Sequence, residues 1–232
     1  MREVRTGVWH WEARHPEWNE RQWWGPLVSS YAIDDGARLL LFDPLAVPSE
    51  IFEHAEDRET AIVLTCPWHE RDARSLVERF GWPVFAPPSD TQEDLMQKFG
   101  VSAEQAAGGS PDLAWLRDGD GEAHWYAAGD RLPVGVEAFP GMESNDLVLW
   151  VASHSALVAG DTLQDRGNGL QFLGDLANKF PVEWVAAVQI LEGMQPLLAL
   201  PIEIVLLTHG APADRAALER ALTTSPTWGT AR

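Results

Sequence analysis

Four short stretches of this chain end apolar runs in polar side chains able to bind metal or move protons: FDP at 42–44, TCPWHERDA at 65–73, AGDTLQD at 159–165 and LTHG at 207–210. Between them they offer Asp43, Cys66, His69, Glu70, Asp72, Asp161 and His209. A metal centre needs several His, Asp, Glu or Cys ligands converging from separate loops. Loops at the ends of strands are where a scaffold gathers such residues. Taken singly, an Asp or His after a strand is more often a helix cap or a turn former; the four tips together point to a site. Cys66 precedes Pro67 and lies near His69, so a thiolate–imidazole nucleophile is a further candidate. His10 and His15, in a tryptophan-rich N-terminal segment, read as surface or hydrogen-bonded residues within reach of a site. His54, His124 and His154 are assigned no function. No Gly-x-x-x-x-Gly-Lys follows a strand, and Ser29, Ser30 and Ser75 lie in no nucleophile elbow.

The elements that must position these tips follow from periodicity and punctuation. Residues 4–12 alternate as a strand, and 29–44 read as two strands around the Asp35–Gly36 turn signal. Ser49 is a candidate N-cap for a short helix over 48–57. The apolar run 60–65 reads as a buried strand, followed by the second tip and a helix over 70–81 closed by Gly81. Residues 82–88 form another short strand, and 90–122 carry two helical pieces ending at glycines, then a turn at 118–122. Strands are expected over 123–129, 134–141, 146–153 and 156–161, a glycine-bearing loop over 165–175, and a helix over 181–194. A last buried strand covers 202–210 and a final helix 212–224, with Pro212 near its start. Each half thus reads as strands followed by helices, and two sheets face to face with helices outside satisfy that order. No repeat, low-complexity segment or linker divides the chain, so residues 1–232 are expected to form a single domain.

Composition narrows the function classes. Seventeen Lys and Arg stand against 35 Asp and Glu, a formal net charge of −18. That field repels phosphate backbones and anionic lipid, so neither nucleic acid nor a membrane is an expected partner. One cysteine forbids an intrachain disulfide, and the charged N-terminus has no signal-peptide core; with no long apolar span, the expected location is the cytoplasm. Twelve tryptophans, with Trp9, Trp11, Trp18, Trp23 and Trp24 near the start, read either as a packing wall or as an aromatic lining facing a ligand.

The landmarks GVWHWEARHPEW, LLLFDP, IVLTCPWHERDA, EAFPGMESNDLVLWV, ALVAGDTL and IVLLTHG span the chain. In this pattern the sequence resembles the metallo-β-lactamase fold superfamily, and most closely its small bacterial members. The resemblance implies an α/β fold, a four-layer αββα sandwich, and hydrolysis at a dinuclear zinc site. The family's Thr-His-x-His-x-Asp-His loop, laid on from Thr65, puts its first histidine on Cys66, its second on Trp68, its aspartate on Glu70 and its third histidine on Arg71. The histidine of its Pro-Gly-His stretch falls on Met142. Its bridging aspartate is kept as Asp161 and its last histidine as His209.

Two ligands are therefore intact, two are exchanged for capable groups, and Trp68, Arg71 and Met142 are poor ligands. The loop keeps the structural task of leading a strand into a helix and gives up most of its metal binding. Arg71 is expected to stand in for a metal ion, its guanidinium pairing with Asp161 and with Glu70 or Asp43. The other expectation is one remodelled site of Cys66, His69, Asp161 and His209, with a single divalent metal, zinc first. Asp161, Glu70 and Arg71 are the candidates for catalysis. The chain is read as a hydrolase-like protein that has lost most of the dinuclear site, or as a metal-free, non-catalytic relative that binds a small molecule or a protein partner.

Overall fold

The computed structural model describes residues 1–22, 24–118, 123–172 and 187–223. The N-terminal half builds a seven-stranded sheet from β1 (Arg2–Arg5), β2 (Val8–Arg14), β3 (Leu27–Asp34), β4 (Arg38–Phe42), β5 (Glu59–Val63), β6 (Val84–Ala86) and β7 (Ala123–Trp125), in that order. The first four strands run antiparallel; β4 to β7 are parallel. Their crossovers carry α1 (Ser49–Ala55), α2 (Ala73–Phe80), α3 (Gln92–Phe99) and α4 (Ala114–Asp118).

The second half contributes β8 (Arg131–Leu132), β9 (Val136–Glu143), β10 (Asp146–Val151), β11 (Ala156–Ala159), a ribbon of β12 (Leu163–Asp165) and β13 (Leu170–Phe172), helix α5 (Ala187–Met194), β14 (Ile204–Leu207), β15 (Ala213–Asp214) and helix α6 (Arg215–Thr223). Its six-stranded sheet runs β15-β14-β11-β10-β9-β8, with β11 and β14 parallel.

Alternation in the strands sorts the buried residues into three apolar layers. Tyr31, Leu40, Phe42 and Val63 of the first sheet meet Ala138, Leu149, Val158 and Leu206 of the second between the sheets. Leu41, Ile62 and Leu64 face Ile51 of α1 and Ala73, Leu76 and Val77 of α2 on one outside. Val148, Leu157 and Val205 face Ile190 and Met194 of α5 and Leu218 of α6 on the other. Three layers of buried side chains separate four layers of backbone, the αββα sandwich expected from the sequence. Truncating one fully buried leucine such as Leu149 to Ala costs about 2–5 kcal/mol, because lost transfer energy and a residual cavity add.

Four local expectations are corrected. The strand over 4–12 is split by a turn at Gly7 (φ 74°), where a Cβ would lie 2.9 Å from His154 Nε2 and 3.0 Å from the Asp34 carbonyl. In the loop expected over 165–175, residues 165–172 close the β12–β13 ribbon, turned by Gly167 and Gly169, whose N–H groups both donate to Asp165 Oδ1, and 173–175 lie outside the described residues. Residues 102–109 make turns rather than a helix, since the single turn from Ser102 to Ala106 runs into the positive-φ pair Gly108 and Gly109. The final helix begins at Arg215, after a two-residue strand, with Asp214 Oδ1 capping the Ala217 N–H. Of the helix expected over 181–194, residues 187–194 are helical; 181–186, with most of the 118–122 turn, lie outside the described residues.

Candidate metal centre

The strand ends β4, β5, β11 and β14 meet at one edge of the sandwich and bring the four polar tips together. Asp43 follows β4 with a left-handed backbone (φ 45°) and is 2% exposed. Its Oδ1 accepts the Thr65 N–H (2.8 Å); its Oδ2 accepts the hydroxyls of Thr65 (2.7 Å) and Thr208 (3.1 Å) and lies 3.1 Å from His69 Nδ1. Burial opposes ionisation of Asp43, but His69, Arg71 and the Thr65 hydroxyl outweigh it and hold the carboxyl below its ordinary value.

His69 ends the 3-10 turn Pro67–His69 that leads from β5 toward α2. With Nδ1 fixed on Asp43 and Thr65, its Nε2 is presented 3.5 Å from Asp161 Oδ1. His209, in the loop after β14, places Nε2 3.1 Å from the same oxygen. Ligand atoms of His69, Asp161 and His209 all lie within 4.8 Å of one another, and all three residues are buried. Burial works against a charged His69, yet Asp43 on one nitrogen and Asp161 on the other raise it to about 9. Asp161 is held well below the ordinary carboxylate range: burial disfavours its charge, and the two histidines override it. His209 is pushed down, first by burial and then by the neighbouring His69 and Arg71 charges.

Around this trio the packing is aromatic. Trp68 donates its indole N–H to Asp161 Oδ2 at 3.0 Å. Trp24 lies with its ring 5.4 Å from that of His209, and His15 meets Trp24 edge-on at 5.1 Å. The segment between β2 and β3 is tied down by the Trp18 indole on the Trp24 carbonyl (2.7 Å) and by the His15 N–H on Pro26 (2.9 Å). The tryptophan-rich N-terminus thus packs in part beside the centre.

The remaining residues expected at the site have other tasks. Cys66 is fully buried, and burial together with the carboxylates of Asp161, Asp146 and Asp43 pushes its thiol well above its ordinary value. It is not among the three converging ligands. Glu70 Oε2 accepts the Leu113 N–H (3.1 Å), pinning a loop on the helical face of the first sheet. Asp72 accepts the Ala46 N–H through Oδ2 (2.5 Å). Arg71, with φ 45°, donates Nη1 to the backbone carbonyls of Asp43 (2.6 Å) and Ser29 (2.9 Å). It therefore reaches Asp43 through the main chain, and among the described residues it forms no ion pair with Asp161 or Glu70. Met142 packs in the apolar layer beneath α5.

Sequence reasoning passed over Asp146. It is wholly buried at the start of β10, its Oδ1 accepting the Asp161 N–H (2.9 Å) and its Oδ2 the Thr162 hydroxyl (2.6 Å). Burial and the Asp161 charge lift its carboxyl to about 8. The available signal was a pair of glycines. A Cβ on Gly160 would sit 2.1 Å from Asp146 Oδ1, and one on Gly141 2.1 Å from the Asp146 carbonyl.

No family model matches the sequence, and no curated protein resembles it. Solved structures do. The DIM-1 metallo-β-lactamase superposes with a TM-score of 0.59 at 16% identity over 95% of this chain and 93% of its own. An archaeal metallo-β-lactamase superfamily protein from Sulfolobus tokodaii gives 0.59 at 15% identity, covering 93% and 84%. TTHA1623, solved in a di-iron-bound form, gives 0.54 at 23% identity, covering 85% and 95%. The chain has the metallo-β-lactamase fold. Fold alone does not fix activity.

Proposed function

We propose that this protein is a hydrolase-like member of its fold class that holds one divalent metal ion between His69, Asp161 and His209. One observation carries the reading: two imidazole Nε2 atoms and one carboxylate oxygen converge from three separate loops while the opposite nitrogen of His69 is locked on a buried aspartate. A ligand histidine held by a carboxylate through its other nitrogen is the usual support of a metal site. The donor set suits zinc or ferrous iron. TTHA1623, similar in fold, binds two irons. Here Trp68 and Met142 offer no ligand, Cys66 stands outside the trio, and the part-buried Arg71, its guanidinium on the Asp43 and Ser29 carbonyls, adds positive charge nearby, so the donors fit one ion. Such an ion polarises a carbonyl or phosphoryl oxygen and makes water a stronger nucleophile. Within the chain, Asp43 orients His69, Trp68 and Asp146 orient Asp161, and the Trp24 ring packs beside His209.

The test is elemental mass spectrometry on untagged protein after incubation with Zn²⁺, Mn²⁺ or Fe²⁺. One equivalent in the wild type and none in His209→Ala supports the reading and justifies ester, thioester and phosphoester screens. A second reading, a metal-free protein that binds a small molecule, is favoured by the charge balance: His69, raised to about 9, neutralises its two buried carboxylate neighbours without an ion. No uptake of any of the three metals, and no thermal stabilisation by them, would select it.

A further inference from the structure

Asp161 has two carboxylate oxygens in different company. Oδ1 faces His69 Nε2 at 3.5 Å and His209 Nε2 at 3.1 Å, while Oδ2 accepts the Trp68 indole N–H at 3.0 Å. The main chain beneath is fixed. The Asp161 N–H is bonded to Asp146 Oδ1, and the preceding Gly160 packs so tightly on that oxygen that a Cβ there would lie 2.1 Å from it. With the backbone held, the carboxylate keeps only its own torsions, and the indole sets them. The bond is charge-assisted and partly buried, hence directional and hard for water to replace.

We propose that Trp68 is a positioning residue that makes Asp161 a one-oxygen ligand, reserving Oδ2 and aiming Oδ1 at the two imidazoles. This rests on the reading of the trio as a metal centre. Each of two ligands then has its own fastener: His69 is set by Asp43 through Nδ1, and Asp161 by Trp68 through Oδ2. Trp68 serves the centre while contributing no ligand atom, as outer partners of metal ligands do.

Two measurements on the full chain test this. Zn²⁺ affinity is measured by equilibrium dialysis for the wild type and Trp68→Phe, which keeps a ring and loses the N–H. The expected result is about tenfold weaker binding in the variant, the usual cost of removing an outer partner; affinities within twofold of each other overturn the proposal. The Trp68 indole signal is also followed by nitrogen-15 NMR in wild-type protein, where folding of a variant is not at issue. A slowly exchanging N–H that survives Zn²⁺ loading is expected. Fast exchange in the loaded protein means that Oδ2 has turned to the ion, and overturns the proposal. If Trp68→Phe binds as the wild type does, the centre stands and only the role of Trp68 falls. If the wild type takes up none of Zn²⁺, Mn²⁺ and Fe²⁺, both fall; if it takes up manganese or iron in place of zinc, the same dialysis is run with that ion.

Discussion

The loop after β5 and the loops after β11 and β14 approach the same centre from opposite sheets, and their side chains are used differently. In the first, the side chains at the positions resembling ligands do other work: Trp68 donates to Asp161, Glu70 pins Leu113, and Arg71 bonds backbone carbonyls. In the other two, Asp161 and His209 stay aimed at the middle. The difference follows from how each loop is anchored. The β14 loop is bonded by main chain and hydroxyls to the opposite sheet: Ser29 N–H to Thr208 O (2.8 Å), Tyr31 hydroxyl to Leu207 O (2.7 Å) and Ser29 hydroxyl to Gly210 O (3.0 Å). Asp161 stands on Asp146. These loops stitch the two sheets, so their geometry is tied to the fold. The β5 loop is tied across at its first residue, by the Leu147 N–H on Thr65 O (2.9 Å), while the main chain beyond bonds within its own half, the Asp72 N–H to Pro44 O (3.0 Å) and the His69 N–H to Cys66 O (3.2 Å).

The sharpest way to break this comparison is to remove a side chain from each set. Asp161→Ala is expected to abolish metal uptake, because it deletes the group both imidazoles face. Cys66→Ala, on the β5 loop, is expected to leave uptake unchanged, since Cys66 stands outside the trio. Dialysis followed by elemental analysis of both variants decides it; loss of metal in Cys66→Ala would return the cysteine to the ligand set. Asp43→Asn ranks next. It keeps the shape but removes the charge that fixes His69, and metal affinity is expected to fall about 10- to 100-fold.

Asp146 sharpens the other side of the comparison. Asp146→Ala leaves the buried Asp161 N–H without its acceptor, a cost of roughly 1–3 kcal/mol in unfolding free energy. Asp146→Asn keeps an acceptor oxygen there and is expected to recover most of that loss in urea unfolding. Equal destabilisation by the two substitutions would show that the carboxyl acts in some way other than by accepting that N–H.

The architecture was legible because it is written in runs of residues. The apolar stretches around Leu41, Ile62, Leu149 and Leu206 are short continuous runs of strand length, and Gly36 and Gly81 mark a turn and a helix end. Asp161 and His209 were legible for the same reason, standing at the tips of two such runs. The β5 loop was only half legible. Glu70 turns to Leu113 and Arg71 to backbone carbonyls far off in sequence, and the left-handed backbone at Arg71 (φ 45°) is one that no residue type there announces. Asp146 was missed because its importance lies in what packs on it, two glycines and a backbone N–H that come from other strands.

The smallest expected effect concerns the stitching itself. His10 on β2 shares a 2.8 Å hydrogen bond with the Ser29 hydroxyl, and Ser29 donates in turn to Gly210 beside His209. Since the Ser29 proton is committed to Gly210, neutral His10 must donate from Nε2. Burial, then the positive charges of Arg2 and the N-terminus, lowers its pKa to about 4 from an ordinary 6.5. A histidine depressed on folding contributes stability that is full above the unfolded value. As the pH falls through 6.5 the unfolded chain takes a proton that the folded chain refuses, and stability declines until the folded histidine also titrates near 4. Metal-free wild-type protein, melted at intervals between pH 7 and 4, should therefore lose stability more steeply than His10→Gln, which keeps a side-chain donor and cannot titrate. Parallel pH profiles for the two proteins would mean that the acid sensitivity of the sheet-to-sheet stitch lies elsewhere, and that the β14 loop is anchored without regard to the charge of His10.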